Sequence, residues 1–191
     1  SPKIWTIKNM DQNKKILFVT NSQRVLEFFL DNPGEEFVGK DLEEKIEISR
    51  SGIYYALKEL TKGGFLCQYV KGGISFYSLN YNNPAVKHLK VLKTVIEIQP
   101  LLERLKKLSS KIVLFGSSSR GESAKDSDID LFIITHNKTE IEKEITKFGS
   151  KRRIQAVKKT ELEYVELERS DPVFCEQVNR GILLWEAGDE S

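Results

Sequence analysis

The sequence predicts an α/β chain of α+β type, built as two domains joined by a helical linker, and three observations carry that reading. In the first half, three short helical patterns are followed by a pair of β-rich runs. In the middle, Asn82, Asn83 and Pro84 end that pattern and a long apolar stripe of helical period begins. In the second half, two β-rich runs flank a loop of glycine, serine and charged residues, and a helix and a third strand follow. The corresponding limits are residues 1–84, 85–110 and 111–191.

With 191 residues and 39% apolar content, the chain can bury one large core or two small ones. It contains no uninterrupted apolar run of about 18 residues, so no membrane-spanning helix is expected. The opening SPKIWTIKNM also lacks the apolar stretch of a secretory leader. Cys67 and Cys175 lie far apart without a CxxC or a histidine cluster, which suggests neither a disulfide framework nor a zinc site. Both read as small buried hydrophobes, and a cytoplasmic location fits. The net charge of +2 is too small to announce nucleic acid by itself, although Lys and Arg exceed Asp and Glu 13 to 10 up to residue 90 and trail 17 to 18 beyond it.

Each N-terminal element has its own signal. Thr20 and Gln23 form a capping-box pattern ahead of Val25, Leu26, Phe28, Phe29 and Leu30, and Asn32, Pro33 and Gly34 end that helix. A short helix near Gly39 to Ile46 carries Leu42 and Ile46. A third opens at Ser49 and places Ile53, Leu57 and Leu60 on one face before Gly63 and Gly64 stop it. Phe65 to Val70 and Ile74 to Leu79, separated by Lys71, Gly72 and Gly73, read as a hairpin.

That order, with SRSGIYYALKELTKGGFL at its centre, resembles the winged helix-turn-helix domain of archaeal and bacterial transcriptional regulators over about residues 16 to 81. The resemblance implies double-stranded DNA as partner, with the third helix in the major groove and the hairpin along the backbone. Ser49, Arg50, Ser51, Tyr54, Tyr55 and Lys58 would then be the reading surface, with Lys62 and Lys71 near phosphates. The rival reading is a winged helix that makes only protein contacts, and Glu44, Glu47 and Glu59 favour it.

In the linker, Val86, Leu89, Leu92, Ile96, Leu101, Leu105 and Leu108 form the stripe, and Pro100 is expected to divide or kink the helix. The stripe can pack on its own domain or pair two protomers as a homodimer.

Beyond it comes KIVLFGSSSRGESAKDSDIDLFIIT. Lys111 to Phe115 is an apolar strand ending at Gly116, and in the next strand period two sets Asp128 and Asp130 on one face. Two adjacent carboxylates repel unless a cation compensates, which suggests a divalent metal. Gly116 and Ser117, at the strand exit, offer backbone N–H groups and a hydroxyl where a phosphate can sit. Metal beside phosphate points to phosphoryl chemistry, and calcium binding or a merely solvated acid pair are the bland alternatives.

Gly-Ser, ten residues, then Asp-x-Asp resembles the nucleotidyltransferase superfamily that includes DNA polymerase beta and the minimal nucleotidyltransferases paired with toxins. The resemblance implies a mixed sheet, Mg²⁺ on Asp128 and Asp130, and a nucleoside triphosphate such as ATP held by Gly116, Ser117 and Arg120. It also implies a third carboxylate on the next core strand, read here as Arg152 to Lys158 after the helix Glu140 to Phe148. That strand contains no acid, and Gln155 stands near the expected place. Glu161 and Glu163 lie just beyond it. Lys151, Arg152 and Arg153 form a basic run that is either solvated surface or a nucleotide contact. Two helices, the second starting at Asp171 and Pro172, complete the core with Ile182 to Trp185.

Two functions follow as expectations. One is a Mg²⁺-dependent enzyme that transfers a nucleotide to a hydroxyl acceptor. The other is a DNA-binding regulator or antitoxin-like protein, with a toxin-like partner, whose transferase domain binds nucleotide without turnover.

Overall fold

The computed structural model describes residues 17–188; the N-terminal segment read above for a leader lies outside them. The described residues fall into two compact units, one up to Lys90 and one from Val91 onward.

The first unit comprises α1 (Asn21–Asp31), β1 (Phe37–Val38), α2 (Gly39–Lys45), α3 (Arg50–Lys62), β2 (Leu66–Lys71) and β3 (Ile74–Leu79). The three strands form an antiparallel sheet in the order β1-β3-β2. Thr20 caps α1 in a complete capping box with Gln23, and the Ser49 hydroxyl accepts from the Gly52 N–H at the start of α3. Val25, Leu26, Phe29, Leu30, Leu42, Ile53, Ala56, Leu57 and Leu60 bury one stripe from each helix. Lys71 pairs with Ile74 across Gly72 and Gly73, at φ 58° and 78°, a two-residue turn whose handedness matches the strand twist and which glycine alone enters without strain. The hairpin runs out from the core. In β2 only Leu66 is buried, and Cys67 is exposed, contrary to its expected burial, because the strand leaves the helices one residue earlier.

Helix α4 (Pro84–Leu105) continues through Pro100 instead of breaking there. Proline removes one helical donor, but Pro100 is itself buried and its neighbours Ile98, Leu101 and Leu102 all enter a core. The expected stripe also changes face. Val86 and Leu89 pack in the first unit and Val95, Ile98, Leu101 and Leu105 in the second, which leaves Leu92 41% exposed.

The second unit continues with β4 (Lys111–Phe115), the single turn α5 (Gly116–Ser119), β5 (Ile129–Ile134), α6 (Lys138–Phe148), β6 (Ile154–Lys159), α7 (Glu161–Ser170), α8 (Pro172–Asn179) and β7 (Ile182–Glu186). The sheet is mixed, in the order β6-β5-β4-β7, with β5 and β6 parallel and the other pairs antiparallel. The segment Ile182–Glu186, read only as core completion, is an edge strand on β4.

Both faces of this sheet are covered. Ile112, Leu114, Ile129, Leu131, Ile133 and Ile154 meet the C-terminal half of α4 together with Ile141, Ile145 and Phe148 of α6. Val113, Phe115, Phe132 and Ile134 meet Tyr164 and Leu167 of α7 and Phe174 and Val178 of α8. Phe174 stands edge-on to Phe115 at 5.6 Å. Burying each such side chain contributes about 1.5–3 kcal/mol, so the central strands are a rigid base for whatever projects from their ends.

Candidate functional site

Asp130 lies in β5 opposite Phe115 of β4 and Gln155 of β6. Register partners point to the same side of a sheet, so Asp130 continues the row of Phe132 and Ile134 on the α7/α8 face. Asp128, two residues earlier, shares that side just before the strand begins. The row is apolar where the helices cover it and acidic where they end, and both aspartates are partly exposed.

Gly116 holds the pair in place sterically. Its φ is +70°, and a Cβ built there would lie 2.3 Å from Asp130 Oδ2 and 3.1 Å from Asp130 Cγ. The glycine thus makes room for the Asp130 carboxylate itself, in addition to the exposed backbone expected for a phosphate. Gly116 and Ser117 open the α5 turn, where the first N–H groups of a helical turn lack acceptors within the helix. Ser118, fully buried, donates its hydroxyl to the Asp128 carbonyl at 3.2 Å and so ties the turn to the acid pair. The structure therefore brings together Gly116, Ser117, Asp128 and Asp130. Arg120 stands at the exposed outer end of the turn, where its Nε donates to Glu122 Oε2 at 2.9 Å.

Burial raises the Asp130 carboxyl above its ordinary pKa, and the charge of Asp128 raises it further. Neither aspartate makes an ion pair with a described residue. An acid pair that is partly desolvated and uncompensated suits a divalent cation, which would reverse both penalties at once. In the metal-free protein the raised value means that native-state stability is full below the unfolded pKa and declines as pH rises through the folded one. Asp130→Asn is therefore expected to raise the melting temperature at pH 7 and to lose that gain as the solution is acidified. Thermal unfolding between about pH 4 and 8 checks it, and equal melting temperatures at pH 7 would contradict the repulsion.

The third acid is absent from this face. Gln155 is the direct partner of Asp130 and is exposed beside it. Glu161 and Glu163 are at the far end of the sheet. Glu161 accepts from Ser110, which precedes β4, and lies 2.7 Å from His136, which follows β5. Glu163 accepts from Lys138 and from the Thr160 N–H, and its carboxyl is held down at about 2. Among the described residues, no group of three His, Cys, Asp or Glu is placed to hold a metal.

In the first unit, α3 turns Arg50, Ser51, Tyr54, Tyr55 and Lys58 outward and Ile53, Ala56, Leu57 and Leu60 inward, and its cap Ser49 is exposed as well. Tyr54 and Tyr55 are 61% and 64% exposed, with their rings 5.7 Å apart. Arg50 meets Glu43 at 3.5 Å. Lys62 and Lys71 are exposed, and Glu59 accepts from the Ser22 hydroxyl.

Residues 97–190 match the family described as Polymerase beta, Nucleotidyltransferase. No curated protein matches the chain. A structure from Sulfolobus solfataricus described as a nucleotidyltransferase is 15% identical, covers 56% of this chain and 92% of its own, and has a TM-score of 0.38. HlyU from Vibrio cholerae is 23% identical, with 52% and 97% covered and a TM-score of 0.30. The family match spans the mixed sheet, the Gly116 turn and the acid pair, and so this part of the chain is a nucleotidyltransferase-like domain.

Proposed function

We propose that the second unit binds a nucleoside triphosphate with Mg²⁺ and turns it over slowly or not at all, and that the first unit is a winged helix that binds double-stranded DNA. The chain then acts as a DNA-binding regulator with a nucleotide-responsive domain. The observation that carries this reading is the Asp130–Gln155 register, which puts an amide where a two-metal transferase needs a third carboxylate. Asp128 and Asp130 hold the cation, and Gly116, Ser117 and the α5 turn meet the terminal phosphates. A bound divalent ion neutralises phosphate charge and polarises the phosphorus. Gln155 can lend a carbonyl oxygen to the metal but cannot take a proton from an attacking hydroxyl near neutral pH. Incubation with Mg²⁺ and each radiolabelled triphosphate tests this. Little or no label on protein, RNA or small hydroxyl acceptors is expected, and rapid labelling would establish the rival transferase, which the intact Gly-Ser turn and acid pair favour.

The order helix, helix, helix, hairpin and the outward face of α3 support the DNA reading. The Arg50–Glu43 pair is exposed and weak enough to open when phosphate competes for the guanidinium. Replacing both Arg50 and Lys58 by Ala is expected to weaken duplex binding about tenfold or more, and wild-type affinity should fall steeply as salt rises, because each neutralised phosphate releases counterions. Mobility shifts on genomic fragments measure both. Absence of binding at low salt would remove the regulator.

A further inference from the structure

The run Lys151, Arg152, Arg153 stands at the entrance to β6, and the structure separates its members. Arg152 is only 15% exposed; its Nη2 donates to Thr94 Oγ1 at 3.1 Å and its Nε lies 3.4 Å from Glu97 Oε2. Thr94 and Glu97 belong to α4, which covers the face opposite the acid pair. Ile154 packs on that same side. Arg153 lies between these two, and its carbonyl already accepts from the Ile129 N–H at 2.9 Å, so residue 153 is part of the sheet ladder. Strand alternation therefore turns the Arg153 side chain to the face of Asp128 and Asp130. Extending the register of Asp130 with Gln155 by two residues sets Arg153 beside Asp128, on strands about 4.8 Å apart. The Arg153 side chain is exposed and makes no hydrogen bond or ion pair with a described residue.

A triphosphate needs its negative charge balanced wherever it binds. Two divalent ions do this when three acids hold them; this face offers two carboxylates, an amide and a guanidinium. We propose that Arg153 is a nucleotide-phosphate contact that takes over the charge of a second divalent ion, so that one cation and one guanidinium hold the triphosphate. A planar guanidinium can donate to two phosphate oxygens at once and cannot lose its proton near neutral pH. The assignment rests on the reading of Asp128 and Asp130 as a Mg²⁺–triphosphate site.

The test uses the full chain with Arg153→Ala and Arg153→Lys. Calorimetry with Mg²⁺ and ATP, GTP, CTP and UTP in turn selects the tightest ligand, and Mn²⁺ binding is followed by electron paramagnetic resonance with and without it. Arg153→Ala is expected to weaken triphosphate binding about tenfold to a hundredfold. Arg153→Lys should recover part of that as a point charge. Mn²⁺ alone should bind Arg153→Ala as well as wild type or better, because a cation beside its ligands is gone. One Mn²⁺ per bound triphosphate is expected in the wild-type chain. Unchanged triphosphate affinity in Arg153→Ala, two Mn²⁺ per nucleotide, or loss of Mn²⁺ binding together with nucleotide binding would overturn the role of Arg153 alone. A wild-type chain that binds none of the four triphosphates would overturn the nucleotide site and this role with it.

Discussion

Gln155→Asp is expected to raise nucleotide transfer by about 10² to 10⁴-fold over the wild-type chain, the range that a positioned general base contributes. The geometry for this gain is already present. Position 155 is the direct partner of Asp130 and lies on the face that holds both aspartates, so a carboxylate there completes three acids without moving a strand. It can then take the proton from an attacking hydroxyl, which the wild-type amide cannot do. A cost accompanies the gain. A third carboxylate adds to the repulsion that already raises Asp130, so the metal-free variant should melt below wild type and recover when Mg²⁺ is added. Radiolabel transfer with each triphosphate reads the first effect and thermal unfolding with and without Mg²⁺ the second. A variant that transfers no faster than wild type would show that something other than the missing acid limits the chemistry.

The acid pair and the glycine turn beside it are more legible in the sequence than the parts around them. Period two placed Asp128 and Asp130 together, and the apolar strand ending at Gly116 marked the turn, because each signal is local to a few residues. The reason for Gly116 was only partly visible. Its need for no side chain comes from the Asp130 carboxylate above it, a contact between two strands that spacing does not reveal. Alternation could have separated Arg152 from Arg153, but only with the strand register known, and that register depends on β5. The strand Ile182–Glu186 is not distinguishable in the sequence, since a short apolar run at a sheet edge has no clear period.

In α4, the apolar spacing suggests one continuous stripe, whereas Leu89 and Val95 serve different cores and Leu92 falls between them. Pro100 does not divide the helix for a related reason, because burial of Ile98, Leu101 and Leu102 outweighs one missing helical hydrogen bond. The exposure of Cys67 is not visible in the sequence, because alternation within a hairpin cannot show how far it projects beyond the helices.

The second large effect concerns the acid pair itself. Asp128→Ala combined with Asp130→Ala removes both carboxylates from the face and leaves Gly116, Ser117 and the sheet in place. Without them the face loses both carboxylates proposed to hold a cation, and Mg²⁺ should then add nothing to phosphate binding. The double variant is expected to lose metal-dependent triphosphate affinity by about a hundredfold or more, corresponding to about 2.7 kcal/mol, and to fold at least as well as wild type because two repelling charges are gone. Calorimetric titration of a triphosphate into wild type and double variant, with Mg²⁺ and then with a chelator, measures this directly. Mg²⁺-dependent binding is expected in the wild-type chain and should vanish in the variant. Equal, metal-dependent affinities in the two proteins would place the nucleotide elsewhere and contradict that expectation.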